Sequence, residues 1–374
     1  MRQWKVGTIS MGLLLIILGL LLLGNTIWDI AITDFITYAW PIILILLGLE
    51  VLIYSFFKKD GPLKFDFFSI LILILALMFT FVVYSVQETG IISAVRNTIN
   101  DERYTLNINQ SLDLPENIDE VIIDAPNGNF NITGKETEKA EIMGTIQIGA
   151  NSKEEAEKYL DEVLTVKIVG NQAIIRIEDS KRLNLIGTNP LKADLNISLP
   201  KDLLIKPNLI NGDITLSNMN GSGNIEGVNG RIKLENCSGN YEVKTVNGEL
   251  IFKNIFGDIK GKTVNGEIKA EEVTGALVLE TTNGEIDVIS SSVQGNWEID
   301  TVNGEIELSI PNTADAKVTA KSSIGEVDGN LPWVDKNPNT SGINLSDHKE
   351  AILGEGKYTI DLNSQHGEIE VNTK

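Results

Sequence analysis

Four carboxylates at one position of a repeated phrase could chelate a divalent cation. Glu249, Glu267, Glu285 and Glu305 each follow an Asn-Gly pair, and hard oxygen donors in a column are what Ca²⁺ takes. Each corner offers one carboxylate only, and the G-G-x-G-x-D loop of calcium-binding β-rolls is missing. Calcium at these four residues is therefore the minor reading. The favoured one is a solvated ladder, offset by Lys233, Lys253, Lys260, Lys262 and Lys269 on the same repeats. No cofactor is expected.

Other chemistry is sparse. An enzyme cutting polysaccharide on a long β-helix needs unlike groups converging, such as paired carboxylates at a set separation. Here the outward positions repeat one residue type, and Arg231 is the one arginine within the repeats. His348 and His366 both fall near the C-terminus, and His366 takes a place filled by Asn elsewhere. Cys237 is the single cysteine and cannot form an internal disulfide. A formal charge of -20 excludes the basic face that nucleic acid requires. One further carboxylate, Glu50, lies inside an apolar run. That marks a candidate functional position, with a protonated Glu50 bonded to a hydroxyl or backbone group of a neighbouring helix as the equal alternative.

The elements holding these residues follow from the repeat. Asn211-Gly212, Asn229-Gly230, Asn247-Gly248, Asn265-Gly266, Asn283-Gly284 and Asn303-Gly304 recur at spacings of 18, 18, 18, 18 and 20 residues, with Gly221, Gly239, Gly257, Gly275 and Gly295 about halfway round each period. Units this short must stack to bury an apolar face. Between corners the apolar residues alternate with period two, as strands do: Ile214/Leu216, Ile232/Leu234, Leu250/Phe252, Ile268/Ala270, Ile286/Val288 and Ile306/Leu308 after Asn-Gly, and Tyr241/Val243, Ile259/Gly261, Leu277/Leu279 and Trp297/Ile299 after the halfway glycine. Met219, Cys237, Ile255, Val273 and Val293 would close one edge of the core. Asn-Gly suits a sharp corner because both residues tolerate positive φ. Coils stacked about 4.8 Å apart would join the asparagines in an amide ladder, with Thr245, Thr263, Thr281 and Thr301 forming another beside it.

Three apolar runs precede this region. Residues 6–24, 39–57 and 67–86 are each long enough to span hydrocarbon as helix. Arg2 and Lys5 precede the first run and Lys58, Lys59 and Lys64 follow the second, whereas residues 25–38 hold no basic residue. The positive-inside rule then predicts a cytoplasmic N-terminus and an extracytoplasmic C-terminal domain, in a multi-pass protein of the cell membrane. Gly12 and Gly19 share a helix face, which serves packing within one subunit or leaves homo-oligomerisation open.

The expected fold is membrane-anchored all-β: three N-terminal transmembrane helices, then a single-stranded parallel β-solenoid of about 18 residues per coil with one short helix in its N-terminal cap. The domains are 1–87 (transmembrane), 88–102 (connector), 103–209 (N-terminal β cap with a helix over 152–164, opened by a capping box at Ser152), 210–310 (regular solenoid) and 311–374 (irregular coils and cap). The polar stretch 328–353 reads as a loop over the last coil, and Gly356-Lys357-Tyr358 echoes the phrase at Gly295.

The stretch from about Tyr104 to Val371 resembles the bacterial "putative adhesin" family with β-strand repeats, of the DUF4097 kind. The match rests on I-D-A-P-N-G-N-F-N-I at Ile123, A-D-L-N-I-S-L-P-K-D-L at Ala193 and the T-V-N-G-E-I corners. The first 57 residues resemble the Lia-type transmembrane region of envelope-stress proteins, through G-L-L-L-I-I-L-G-L-L-L-L at Gly12 and W-P-I-I-L-I-L-L-G-L at Trp40. These resemblances imply a Gram-positive cell-membrane protein linked to wall damage or surface adhesion. With the residue-level reading they lead to a non-enzymatic envelope protein whose acidic solenoid binds, scaffolds or senses. Its partners would be membrane lipid and a membrane protein, envelope protein or wall polymer. An adhesin binding a polysaccharide or host surface is the first alternative, and a glycan-active enzyme the second.

Overall fold

The computed structural model describes Ser10, Gly12, Leu13, Ile16, Ile45, Leu46, residues 48–53, Phe56, Leu71 and Met78, then 102–150, 152–178, 191–336 and 346–374. The chain divides into two compact units, Met1–Ile99 and Asn100–Lys374.

In the second unit the period-two alternation becomes strands that wind between two sheets. The chain first forms β1 (Glu102–Asp113), β2 (Glu120–Lys135), β3 (Lys139–Ala150), helix α1 (Lys153–Val163), β4 (Leu164–Val169), β5 (Gln172–Ile177), β6 (Lys192–Pro200) and β7 (Leu204–Asn211). The repeats follow as β8 (Ile214–Ser217), β9 (Gly223–Asn229), β10 (Ile232–Ser238), β11 (Tyr241–Lys244), β12 (Leu250–Phe256), β13 (Ile259–Lys262), β14 (Ile268–Val273), β15 (Leu277–Asn283), β16 (Ile286–Ile289), β17 (Trp297–Asn303) and β18 (Ile306–Ile310). The chain finishes with β19 (Ala316–Ile324), β20 (Val327–Gly329), β21 (Val334–Asp335), β22 (Asp347–Leu353), β23 (Tyr358–His366) and β24 (Ile369–Thr373).

Even-numbered strands β8 to β18 pair in parallel in one sheet and odd-numbered β7 to β17 in the other. The register equals the sequence repeat: Ile232 lies beside both Ile214 and Leu250, and Tyr241 beside Gly223 and Ile259. Every inward apolar side chain expected from the repeat is buried, as are Met219, Cys237, Ile255, Val273 and Val293. Trp297 and Phe252 are the largest of these side chains, and burying each is worth about 1.5–3 kcal/mol or more.

The coil order is not the chain order at either end. The first half of β2 pairs with β5 and β7, and its second half with β6 and β8. The β2 coil is thus inserted between two coils that come later in the chain. At the other end β23 lies between β17 and β19, and β24 between β18 and β20. The last coil of the sequence is therefore an inner coil of the rod.

Antiparallel strands close both ends. β1 and β3 extend from β6, and β4 from β5. β22 and β21 extend from β19. α1 begins where Ser152 Oγ accepts from the Glu155 amide at 3.2 Å, the N-cap half of a capping box. It buries Ala156 and Val163 and packs on β1, β3 and β4, covering the end of the core.

Several expectations are corrected. The fold class does not hold in its N-terminal part: among the described residues no helix is long and apolar enough to cross a membrane. A span needs about 20 consecutive helical residues. The rest of 6–24, 39–57 and 67–86 lies outside the described residues. The solenoid is not parallel throughout, since its ends are antiparallel. Its coils also begin well before 210, because β2, β5 and β6 are coils rather than a cap laid over one. The presumed loop 328–353 contains β21 and β22, and 337–345 lies outside the described residues.

Candidate functional site

The corners come first, because they set every outward column. The asparagine ladder is continuous: Asn229, Asn247, Asn265, Asn283 and Asn303 each donate Nδ2 to the Oδ1 of the preceding corner at 2.8–2.9 Å. It starts earlier than expected, with Asn211 donating to Asn127 at 2.8 Å. The threonines do not bond to one another. Thr263, Thr281 and Thr301 donate to the carbonyls of Gly248, Gly266 and Gly284 at 3.0–3.1 Å. Each buried hydroxyl is thus satisfied by a corner of the coil beneath. Positive φ is not the general reason for the corner glycines. Gly248, Gly266, Gly284 and Gly304 lack it, but a methyl group on any of them would overlap the carbonyl oxygen of the glycine one coil back. Gly212 and Gly230 do have positive φ, and the non-glycine residues that adopt it are Asn218, Asn236, Asn254 and Glu272, just before the buried Met219, Cys237, Ile255 and Val273.

The carboxylate column is half neutralised. Arg231 Nε pairs with Glu249 at 2.8 Å, and Lys269 bridges Glu249 at 3.3 Å and Glu267 at 2.7 Å. Burial works against the Glu249 carboxylate, but hydrogen bonds from Arg231 and Lys269 outweigh it and hold its pKa below the usual value. Glu285 has no such relief. Burial raises its pKa first, and Glu307, Glu267 and Glu305 raise it further. Asp287, alongside, is likewise raised, chiefly by burial. Among the described residues no group of three or more His, Cys, Asp or Glu is arranged to hold a metal ion. The structure does not bring the calcium candidates Glu249, Glu267, Glu285 and Glu305 into a coordinating cluster.

A groove of about 700 Å³ follows the rod axis across successive coils. One wall carries Glu226, Lys244, Lys262, Glu280 and Asp300; the other carries Val246, Val264, Thr282 and Val302. Lys262 donates to Glu280 at 2.6 Å, Lys244 pairs with Glu242 at 2.7 Å, and Asn363 donates to Asp300 at 2.7 Å. Val246 and Val264 remain 41% and 42% exposed, continuing an apolar edge from Ile210 and Val228. Ile251, Val278 and Ile289, outward-facing apolar residues of the strands, are half-buried. The valines were legible in V-N-G itself: a β-branched residue next to each exposed corner has no core to serve. His366 sits beside Asn303, where its carbonyl accepts from Gly304 N at 3.0 Å, a structural place.

In the first unit burial is inverted. Ser10 and Glu50 are buried, while Leu52, Phe56, Ile16 and Met78 are exposed. Glu50 Oε2 accepts from Ser10 N at 3.0 Å and from Ser10 Oγ at 2.5 Å, and Ser10 Oγ also contacts the Leu46 carbonyl at 3.1 Å. Glu50 thus meets both a backbone N–H and a hydroxyl, those of Ser10. Gly12 faces open space, and Gly19 lies outside the described residues.

A family model described as Toastrack DUF4097 matches residues 96–372, and one described as the LiaF transmembrane domain matches residues 10–95. The N-terminal region is thus of a membrane-anchoring type, followed by the β-rod. No curated protein matches. Three solved structures show similarity. A "putative cell adhesion protein" from Clostridium sporogenes is 14% identical over 73% of this chain and 100% of its own, with a TM-score of 0.20. A "putative lipid binding protein" from Parabacteroides distasonis is 12% identical over 74% and 98%, with a TM-score of 0.32. A "putative adhesin" from Bacteroides fragilis is 14% identical over 72% and 97%, with a TM-score of 0.26. At these scores they carry no argument.

Proposed function

We propose that this chain, which belongs to the Toastrack DUF4097 family, is a non-enzymatic cell-envelope protein that binds or scaffolds on the extracytoplasmic side of the membrane. The observation that carries this reading is the axial groove, one wall of which carries a charged side chain on each successive coil and the other a valine or threonine. Such walls suit an extended surface contact rather than the convergence of unlike groups that catalysis needs. The inverted burial around Ser10 and Glu50 supports residence of the first unit in lipid. Arg2, Lys5, Lys58, Lys59 and Lys64 support a cytoplasmic side from which the apolar run 67–86 separates the rod. A role in the response to wall damage of a Gram-positive envelope fits the Lia-type N-terminal match.

Photocrosslinking from the groove in cells, with and without a wall-active antibiotic, tests this. Recovery of an envelope partner whose yield changes with the drug is expected. Turnover of wall glycan by the purified full chain, or full protease protection of the rod in intact protoplasts, would overturn it.

A further inference from the structure

The groove also carries a partner assignment, which rests on reading its walls as a binding surface. Along one wall Lys244, Lys262, Glu280 and Asp300 stand in register on consecutive coils. With Glu226 before them and Asn363 after, the six register positions run minus, plus, plus, minus, minus, neutral, and the central four are antisymmetric about the midpoint between Lys262 and Glu280. The other wall, Val246, Val264, Thr282 and Val302, has the same span and is apolar apart from one hydroxyl.

We propose that the occupant is a second copy of this chain, docked antiparallel about a twofold axis that crosses the rod at that midpoint. Reversing one copy sets Lys244 opposite the partner copy's Asp300 and Lys262 opposite its Glu280, each twice. The same operation lays Val246 on Val302 and Val264 on Thr282, so apolar surface meets apolar surface. A parallel copy, related by a twofold along the rod, would instead press the charged wall onto the valine wall and desolvate its lysines and carboxylates with no opposite charge facing them. An antiparallel contact of this kind is isologous, so it closes at two copies and does not propagate into fibres. Specificity lies in the order of charges and contact area in the valines. The groove covers only part of the roughly 800 Å² per partner of a standard interface, so the dimer is of the transient class and trapping is the suitable readout.

The test uses the full chain in detergent, with native Cys237 left in place because it is buried. Val246→Cys and Val302→Cys proteins, differently tagged, are mixed and oxidised. The heterodimer of 246 with 302 should exceed either homodimer. A Phe256→Cys protein, exposed at the opposite corner, supplies the background. The charge test is complementation. Lys262→Glu or Glu280→Lys, carried by both partners, should lower heterodimer yield about tenfold through like-charge contact, whereas one of each should restore it. Yield no higher than the Phe256→Cys background, homodimers in excess, or failure of the mixed pair to recover would overturn the proposal. Thermal melts establish that each variant is folded. If groove photocrosslinking still recovers another envelope partner while these disulfides never form, the binding reading stands and the second copy falls.

Discussion

The Asn211 side chain donates to Asn127 at 2.8 Å across 84 residues of chain. Through this bond β2, formed early in the sequence, becomes a coil of the regular rod, and the segment from β3 to β6 is left on its far side. The same displacement at the other end buries β23 and β24 between older coils. Each terminal coil is held by neighbours on both sides, so neither frays as the exposed end of a simple stack would.

Gly266→Ala places a methyl group against the Gly248 carbonyl, which is backbone and cannot swing away. A loss of about 1–3 kcal/mol or more is expected from overpacking. Gly170, at φ 65 with open space around it, should cost only about 1–2 kcal/mol on the same substitution, from the left-handed backbone alone. Chemical denaturation of both variants checks the order; equal losses would contradict the stacking role.

Asn265→Ala removes two rungs of the ladder, to Asn247 and from Asn283. At about 0.5–1.5 kcal/mol per hydrogen bond, and with partly exposed side chains, a total near 1–2 kcal/mol is expected. Asn303→Ala removes the bond to Asn283 and should cost about half as much.

Deleting residues 358–374 removes β23 and β24 from inside the rod. Strands β19 and β20, which remain in the chain, then lose their parallel neighbours. Hydrogen exchange in 316–329 should rise, most in 327–329, because β19 keeps its antiparallel partner β22 whereas β20 loses its one strand partner among the described residues. Unchanged protection there would contradict the inner position of the last coil.

Period-two alternation at an 18-residue spacing made the middle of the rod legible down to Cys237 and Val293, because each coil there touches only its sequence neighbours. The ends were not legible for the same reason: nothing local in Phe130 or Ile360 says which distant coil it will face. The echo of Gly295 at Gly356 pointed to the neighbouring coil but two residues out of register: it matches Trp297 with Tyr358, whereas Trp297 lies beside Ile360. β1 was missed because only Leu106 and Ile108 of its residues are buried. The groove was missed although Lys244 and Val246, like Lys262 and Val264, stand two residues apart before the same corner, because one coil alone shows neither the column nor the wall that stacking builds from it.

Stability should respond to acid in two opposite ways. Glu285 and Asp287 have folded pKa values above the ordinary 4.5 and 3.8, so the folded state takes up protons first and gains stability as pH falls through those raised values. Glu249, Glu350 and Asp315 have lowered values. Their contribution is present above the ordinary range and is lost as pH falls through the depressed folded values. A melting-temperature maximum on the acid side of neutrality is expected. Glu285→Gln should raise the melting temperature at neutral pH and shrink the acid gain. A lower melting temperature at neutral pH would contradict the unrelieved column.

The most direct test of the stacked, out-of-order rod is a disulfide between Asn131→Cys on β2 and Thr215→Cys on β8, which are register partners 84 residues apart. Adjacent parallel strands bring such positions within the reach of a disulfide. Mild oxidation should give a compact, faster-migrating monomer and raise the unfolding midpoint. Two free thiols after oxidation, in a protein that remains folded, would contradict the account.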